Sequence, residues 1–333
     1  MVRENDHDVT NILLAFVFAL TIIANGIQLI INKKFYWNSS VVSTKNTVAQ
    51  ISNCEFKGNY NINKNTIIKG WNKINVNENN TVNELLPDSL FIKWFSYNEQ
   101  KFYCGRFALQ KEIILDKIDL LNISSSIQGN NKEEYICFIA EIMPKGKLTV
   151  WLQKSNKVNS KLKIADYQSK EIKETWHIFD DYNKEDTSYI NIKNKVALVL
   201  EKHSYKLDIN LPTGYKLRNS YINLFTQDIL HFDENDYKEI GNINSLPKKI
   251  YLTWNNGKKK FSTDFYFSED EVLDVFRKLD INLNKEKTNL ILELSVNDRN
   301  DSIKAVLKSI KTNSKVVLRN KYQSSYKKSI RQL

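Results

Sequence analysis

Apolar and polar residues alternate along Leu86-Pro87-Asp88-Ser89-Leu90-Phe91-Ile92-Lys93-Trp94. The pattern returns at Leu246-Pro247-Lys248-Lys249-Ile250-Tyr251-Leu252-Thr253-Trp254, with the Leu-Pro start and the terminal Trp in register. A period of two places Leu90, Ile92 and Trp94 on one face of a strand and Phe91, Lys93 and Phe95 on the other. Ser96-Tyr97-Asn98-Glu99-Gln100 has hairpin length, and alternation through Tyr103, Gly105, Phe107 and Leu109 predicts the returning strand. From Glu112 the period lengthens, and Ile114, Leu115, Ile118 and Leu121 make one helical stripe. The matching stripe of the second half, Val272, Leu273, Phe276 and Leu279, follows Ser268-Glu269-Asp270-Glu271, a Ser-x-x-Glu pattern that predicts a capping box. A further hairpin is expected after each helix. In the first half it is Tyr135–Met143 and Leu148–Leu152 around the turn Pro144-Lys145-Gly146-Lys147. In the second it is Asn289–Val296 and Ile303–Leu307, although the last segment also fits a helical stripe.

The expected fold is therefore α+β, with two similar antiparallel-sheet domains, each built as hairpin, helix, hairpin. Brief strands and loops are expected between Tyr36 and Glu84, and strands at Val196–Leu200, Tyr205–Leu211 and Tyr221–Phe225. Lysine-rich Lys154–Glu174 reads as a linker or exposed excursion. The domain expectation is a first domain over 35–153, a connector over 154–195 and a second domain over 196–333.

Ahead of these domains, Ile12–Ile31 has no charged side chain over twenty positions, the length a helix needs to cross about 30 Å of hydrocarbon. Its lead, residues 1–11, holds acidic residues rather than the basic start of a cleavable signal, so a single-pass anchor over 12–31 is predicted. Arg3 precedes it and Lys33, Lys34 and Lys45 follow. The positive-inside rule would keep the domains in the cytoplasm, but that rule is weak for long domains.

The chain's formal charge of +11 would ordinarily raise nucleic acid as a partner. Nine of its cations lie between Asp301 and Leu333 against the single anion Asp301, which reads as a basic C-terminal tail. The near balance of the rest disfavours nucleic acid. Cys54, Cys104 and Cys137 are too scattered for a zinc site. A Cys54–Cys104 bridge is compatible with export, and Cys137 in an apolar run reads as a buried thiol.

Catalytic spacings are absent: there is no Gly-x-Ser-x-Gly elbow, His-Glu-x-x-His helix or Gly-rich phosphate loop. His177, His203 and His231 read as surface or satisfied structural histidines, and no cofactor or metal is expected. Asp180-Asp181 with Glu185 and Asp186, and Asp233-Glu234 with Asp236, lack the spacing of a calcium loop. Ser96, Tyr97, Glu99 and Tyr103 remain as binding candidates, because a hairpin tip with a carboxylate and aromatics can recognise a ligand; cross-strand stabilisation of the hairpin is the competing reading.

Leu86-Pro87, Ile92-Lys93-Trp94-Phe95-Ser96, Glu99, Lys101-Phe102-Tyr103, Met143-Pro144-Lys145-Gly146 and Val150-Trp151-Leu152 together resemble a bacterial envelope family, domain of unknown function 2931. The likeness covers about 36–153. The second copy, about 196–333, keeps Leu246, Pro247 and Trp254 but has Asn256 in place of Ser96 and, after a one-residue slip, Phe261-Ser262 in place of Phe102-Tyr103. The resemblance implies an exported, membrane-tethered domain and no reaction. The leading expectation is thus a non-enzymatic envelope protein, a binding or accessory protein with a protein partner, of which an immunity-type role is one version. An enzyme acting on envelope glycans or lipids, and a membrane-surface binder using the basic tail, are the alternatives.

Overall fold

Alternation along Ser89–Ser96 (β5) and Lys101–Ala108 (β6) forms the expected hairpin, with Trp94 opposite Tyr103 and Ser96 opposite Lys101. The computed structural model describes residues 11–23, 34–57, 65–71, 81–123, 135–155, 160–179, 191–280, 290–322 and 330–333. The chain divides into two compact units, 1–175 and 176–333, and sheet dominates both.

In the first unit, β5 and β6 join Val48–Phe56 (β2), Ile67–Lys69 (β3) and Lys170–Ile172 (β10) in a sheet of order β10-β6-β5-β2-β3. Lys34–Ser43 (β1), Val82–Leu85 (β4), Ile136–Ile142 (β7), Lys147–Lys154 (β8) and Leu162–Gln168 (β9) form the other, of order β4-β1-β7-β8-β9. Inward side chains of both sheets meet in one core, among them Trp37, Phe138 and Val150 from one and Phe56, Ile92 and Trp94 from the other. The helix Lys111–Leu120 (α2) adds Ile114 and Ile118. Leu115 and Leu121 pack at the margin of that core, so the predicted stripe is the buried one.

The second unit repeats this plan. Tyr205–Asn210 (β11), Leu290–Val296 (β16), Ile303–Ser309 (β17) and Ser314–Leu318 (β18) make a sheet of order β11-β16-β17-β18. Lys216–Leu224 (β12), Ile229–Phe232 (β13), Pro247–Asn255 (β14), Lys260–Tyr266 (β15) and Ile330–Gln332 (β19) make one of order β13-β12-β14-β15-β19. Strand for strand, β11, β16, β17 and β18 hold the places of β1, β7, β8 and β9, while β13, β12, β14, β15 and β19 hold those of β3, β2, β5, β6 and β10. The helix Glu269–Leu279 (α4) sits where α2 does in the chain order and buries Val272, Leu273, Val275, Phe276 and Leu279. Residues 303–307 are strand, since their apolar positions Ile303, Ala305 and Leu307 face the core with period two.

Several expectations change. The sheets are not purely antiparallel: β1 runs parallel to β7, and β11 to β16, because the helix of each copy returns the chain to the strand that began it. Lys154–Glu174 is not a connector but supplies β9 and β10. Its polar composition is that of edge strands, whose outward side chains meet water. Val196–Leu200 is helix rather than strand, within Ile192–Leu200 (α3), started by Asn191, whose Oδ1 accepts from the N–H groups of Lys193 and Asn194. The basic segment from Asp301 onward is no tail: its described residues include β17, β18 and β19, in which Lys304, Lys315 and Arg331 are exposed. Cys54 and Cys104 are both free thiols; Cys54 faces the core and Cys104 the opposite side of the same sheet, so strand geometry keeps them apart.

A helix over 11–23 (α1) occupies the start of the predicted anchor, and 24–31 lie outside the described residues. Among the described residues no helix is long and apolar enough to cross a membrane. The side chains of Ile12, Leu13, Phe16, Phe18 and Ile23 are each more than half exposed.

Candidate functional site

Glu99, in the turn between β5 and β6, does not project freely from the hairpin. Its Oε1 accepts the backbone N–H of Lys145 at 2.8 Å, which ties the hairpin of one sheet to the Pro144-Lys145-Gly146 turn between β7 and β8 of the other. Lys145 and Gly146 both have positive φ, 61° and 70°, and this bend brings Gly146 under the ring of Tyr103. A Cβ on Gly146 would lie 2.7 Å from that ring. Tyr103 is stacked on Trp94 with ring centroids 5.4 Å apart. Burial raises its hydroxyl pKa, and the Glu99 charge adds to the rise. Gln168 Nε2 donates to the Lys145 carbonyl at 2.8 Å, and the Ser169 N–H donates to that of Gly146 at 2.9 Å. Glu99 and Tyr103 therefore close a clasp across the sandwich of the first unit.

Tyr97 is buried elsewhere on the hairpin, its hydroxyl donating to Gln50 Oε1 at 2.6 Å and its ring edge-on to Phe95. Ser96 is 1% exposed and its Oγ makes no hydrogen bond. The four candidates thus share one hairpin, but only Glu99 and Tyr103 act on the same group of atoms.

In the second unit Trp254 stacks on Phe261 with centroids 5.9 Å apart, the equivalent of Trp94 on Tyr103. The apparent slip is a shorter hairpin: Asn255 pairs with Lys260 as the last rung, one rung fewer than beyond Trp94. No residue there can take the part of Glu99. The link to the facing turn is made instead by the Trp254 indole, whose N–H donates to Asn300 Oδ1 at 2.6 Å.

A different cluster stands on the outer face of the β1-β7-β8 sheet. Glu141, the one carboxylate in the apolar strand β7, accepts the indole N–H of Trp71 on Oε1 at 2.7 Å and that of Trp151 on Oε2 at 2.8 Å. Trp71 is set by Gly70, whose φ is +65° and whose N–H donates to Ser43 Oγ at 2.7 Å. Trp151 stands at a β-bulge in the pairing of β8 with β9, a device that re-aims a side chain. The ammonium of Lys161 lies 3.9 Å from the Trp71 ring centroid and 4.9 Å from that of Trp151. The alternation along β8 gives Trp151 a place on a strand face and does not reveal this cluster. The available signal was Glu141 itself, since a lone acid in a buried strand requires donors.

Among the histidines, His203 is buried, with Nδ1 3.0 Å from Asp280 and Nε2 3.3 Å from Glu201. The two carboxylates sit at opposite ends of the ring, so they do not converge on a common point. Glu201 also pairs with Arg277. Asp180–Asp186 lie outside the described residues. Asp233 and Asp236 engage backbone N–H groups of their own turn, and Glu234 accepts the Leu217 N–H.

No curated protein matches the chain, and no solved structure does. A family model described as Protein of unknown function (DUF2931) matches residues 24–213, which takes in the β5–β6 hairpin, the Pro-Lys-Gly turn and the Trp151 strand. With more than half of its length matched, including both sides of the Glu99–Tyr103 clasp, this chain belongs to the DUF2931 family.

Proposed function

We propose that the protein is a membrane-tethered binding or accessory protein of the bacterial envelope, without enzymatic activity, anchored through Ile12–Ile31 with its two units on the exported side. The observation that carries this reading is α1. Its apolar side chains lie open on every side, as suits hydrocarbon and not water. Its hydroxyl at Thr21 donates back to the Val17 carbonyl at 2.7 Å, the internal satisfaction a polar group needs in lipid. Binding rather than catalysis is favoured because the carboxylates near the hairpin and the outer sheet face are held by N–H donors of the fold itself, not aimed together at an empty point. Fractionation of cells making the full chain, followed by carbonate and then detergent extraction, tests the tether. The chain should resist carbonate and dissolve in detergent, and Leu14→Asp with Val17→Asp should release it. A C-terminal reporter active only outside the cytoplasm should be active; activity of a cytoplasmic reporter instead would overturn the orientation.

A further inference from the structure

Two indoles braced by one carboxylate and covered by an ammonium form a recognisable chemical arrangement. The Glu141 oxygens hold both rings in place before any ligand arrives, and accepting from the indole N–H groups makes the ring faces more electron-rich. Trp71 and Trp151 are each half-buried and Lys161 is exposed, so the ammonium reaches the rings from the solvent side. We propose that Trp71, Trp151 and Glu141 form a cation-recognition site for a trimethylammonium group, with Lys161 as the built-in occupant that such a ligand displaces.

The chemistry favours that class over a primary amine. The Lys161 ammonium has three N–H donors, and ring faces satisfy them poorly compared with water. A trimethylammonium group has no N–H to satisfy and spreads its charge over methyl groups that can lie on two faces at once. A free primary amine would have no advantage over Lys161, whose attachment gives it an effective concentration of the order of millimolar. This deepens the binding reading by giving it a ligand class, and the two fail separately, because membrane extraction does not involve the indoles.

The test is a titration of the full chain in maltoside micelles with tetramethylammonium and with choline. It is read from the indole N–H resonances of Trp71 and Trp151 in protein carrying isotope-labelled tryptophan. The wild-type chain should respond weakly, and Lys161→Ala should bind about tenfold more tightly. Trp71→Leu in the Lys161→Ala background should abolish the response at Trp151, while Glu141→Gln, which keeps an acceptor but removes the charge, should weaken it. Nanodiscs of phosphatidylcholine against phosphatidylglycerol separate the two sources: a response to choline alone assigns a soluble solute, and one to phosphatidylcholine alone a lipid head group. If Lys161→Ala shows no response to either while its indole resonances keep their folded positions, the proposal is overturned. An equal response to the neutral carbon isostere of choline overturns it as well, since the site would then be merely apolar.

Discussion

A methyl group on Gly146 would meet the Tyr103 ring at 2.7 Å, and the residue's φ of +70° already belongs to the left-handed region. Gly146→Ala should therefore destabilise the first unit by at least about 1–2 kcal/mol, seen as a lower denaturant midpoint at unchanged slope. Glu99→Ala removes the acceptor of an exposed N–H, which water can replace, so its cost should be smaller, about 0.5–1 kcal/mol. If the two substitutions cost the same, the clasp does not depend on the ring contact. Thiol chemistry checks the sheet faces independently. Burial pushes the Cys54 thiol far up and that of Cys137 up to about 12, whereas Cys104 is partly exposed. A disulfide reagent should modify Cys104 alone in the folded chain, and the other two cysteines only after denaturation.

At the scale of elements, α4 shows how a sound local pattern can be put to another use. Ser268 is its N-cap residue, yet its side chain makes no capping bond. Glu269 pairs with Lys195 at 2.5 Å, Asp270 accepts from Asn194 Nδ2, and Glu271 accepts the Arg319 N–H. The acids of the first turn thus hold α3 and β18 to α4. Ser268→Ala should change stability by less than about 0.5 kcal/mol, below the ~1 kcal/mol typical of a cap, and Glu271→Ala by more; equal losses in thermal unfolding would contradict this. At the other end of α4, hydrogen bonding to Arg277, with a smaller contribution from His203, holds the Glu201 carboxyl below its ordinary range. The unfolded chain binds the proton more readily, so this contribution is intact above the ordinary glutamate value of about 4.3 and fades as pH falls through the lower folded value. Glu201→Gln should flatten the acid limb of the second unit's stability curve, by no more than about 1 kcal/mol for a partly screened pair. Period-two and helical stripes made β5, β6, α2, β14 and α4 legible, because burial on one face imposes them. Residues 192–200 misled because Val196-Ala197-Leu198-Val199-Leu200 is apolar all round, and such a run carries no period. Glu99 and Tyr103 were legible as a pair but not as a clasp, since Lys145 and Gly146 lie more than forty residues away in sequence. Trp71, in the turn after β3, Glu141 in β7 and Lys161 just ahead of β9 lie far apart in sequence, and only the fold brings them together.

Across the whole molecule, the repeat proves to be a repeat of topology more than of residues. Truncation after Asn300, which would excise a basic tail were it one, instead removes β17, β18 and β19 from both sheets of the second unit. The truncated chain should lose that unit's cooperative unfolding transition while the first unit keeps its own, as limited proteolysis would show. The same duplication gives the differing clasps a further consequence. A nascent chain that carries one topology twice can pair a hairpin of one half with the sheet of the other, and such exchanged forms are a common hazard of tandem domains. The β14–β15 hairpin is one rung too short, and lacks the carboxylate, to engage the Pro144-Lys145-Gly146 turn. The β5–β6 hairpin in turn is one rung longer and offers Tyr103 where the second unit has Phe261. Divergence at these few positions should make the other half's hairpin a poor substitute, so replacing β5–β6 by β14–β15 should lower the denaturant midpoint of the first unit, and an unchanged midpoint would show that the clasp does not discriminate.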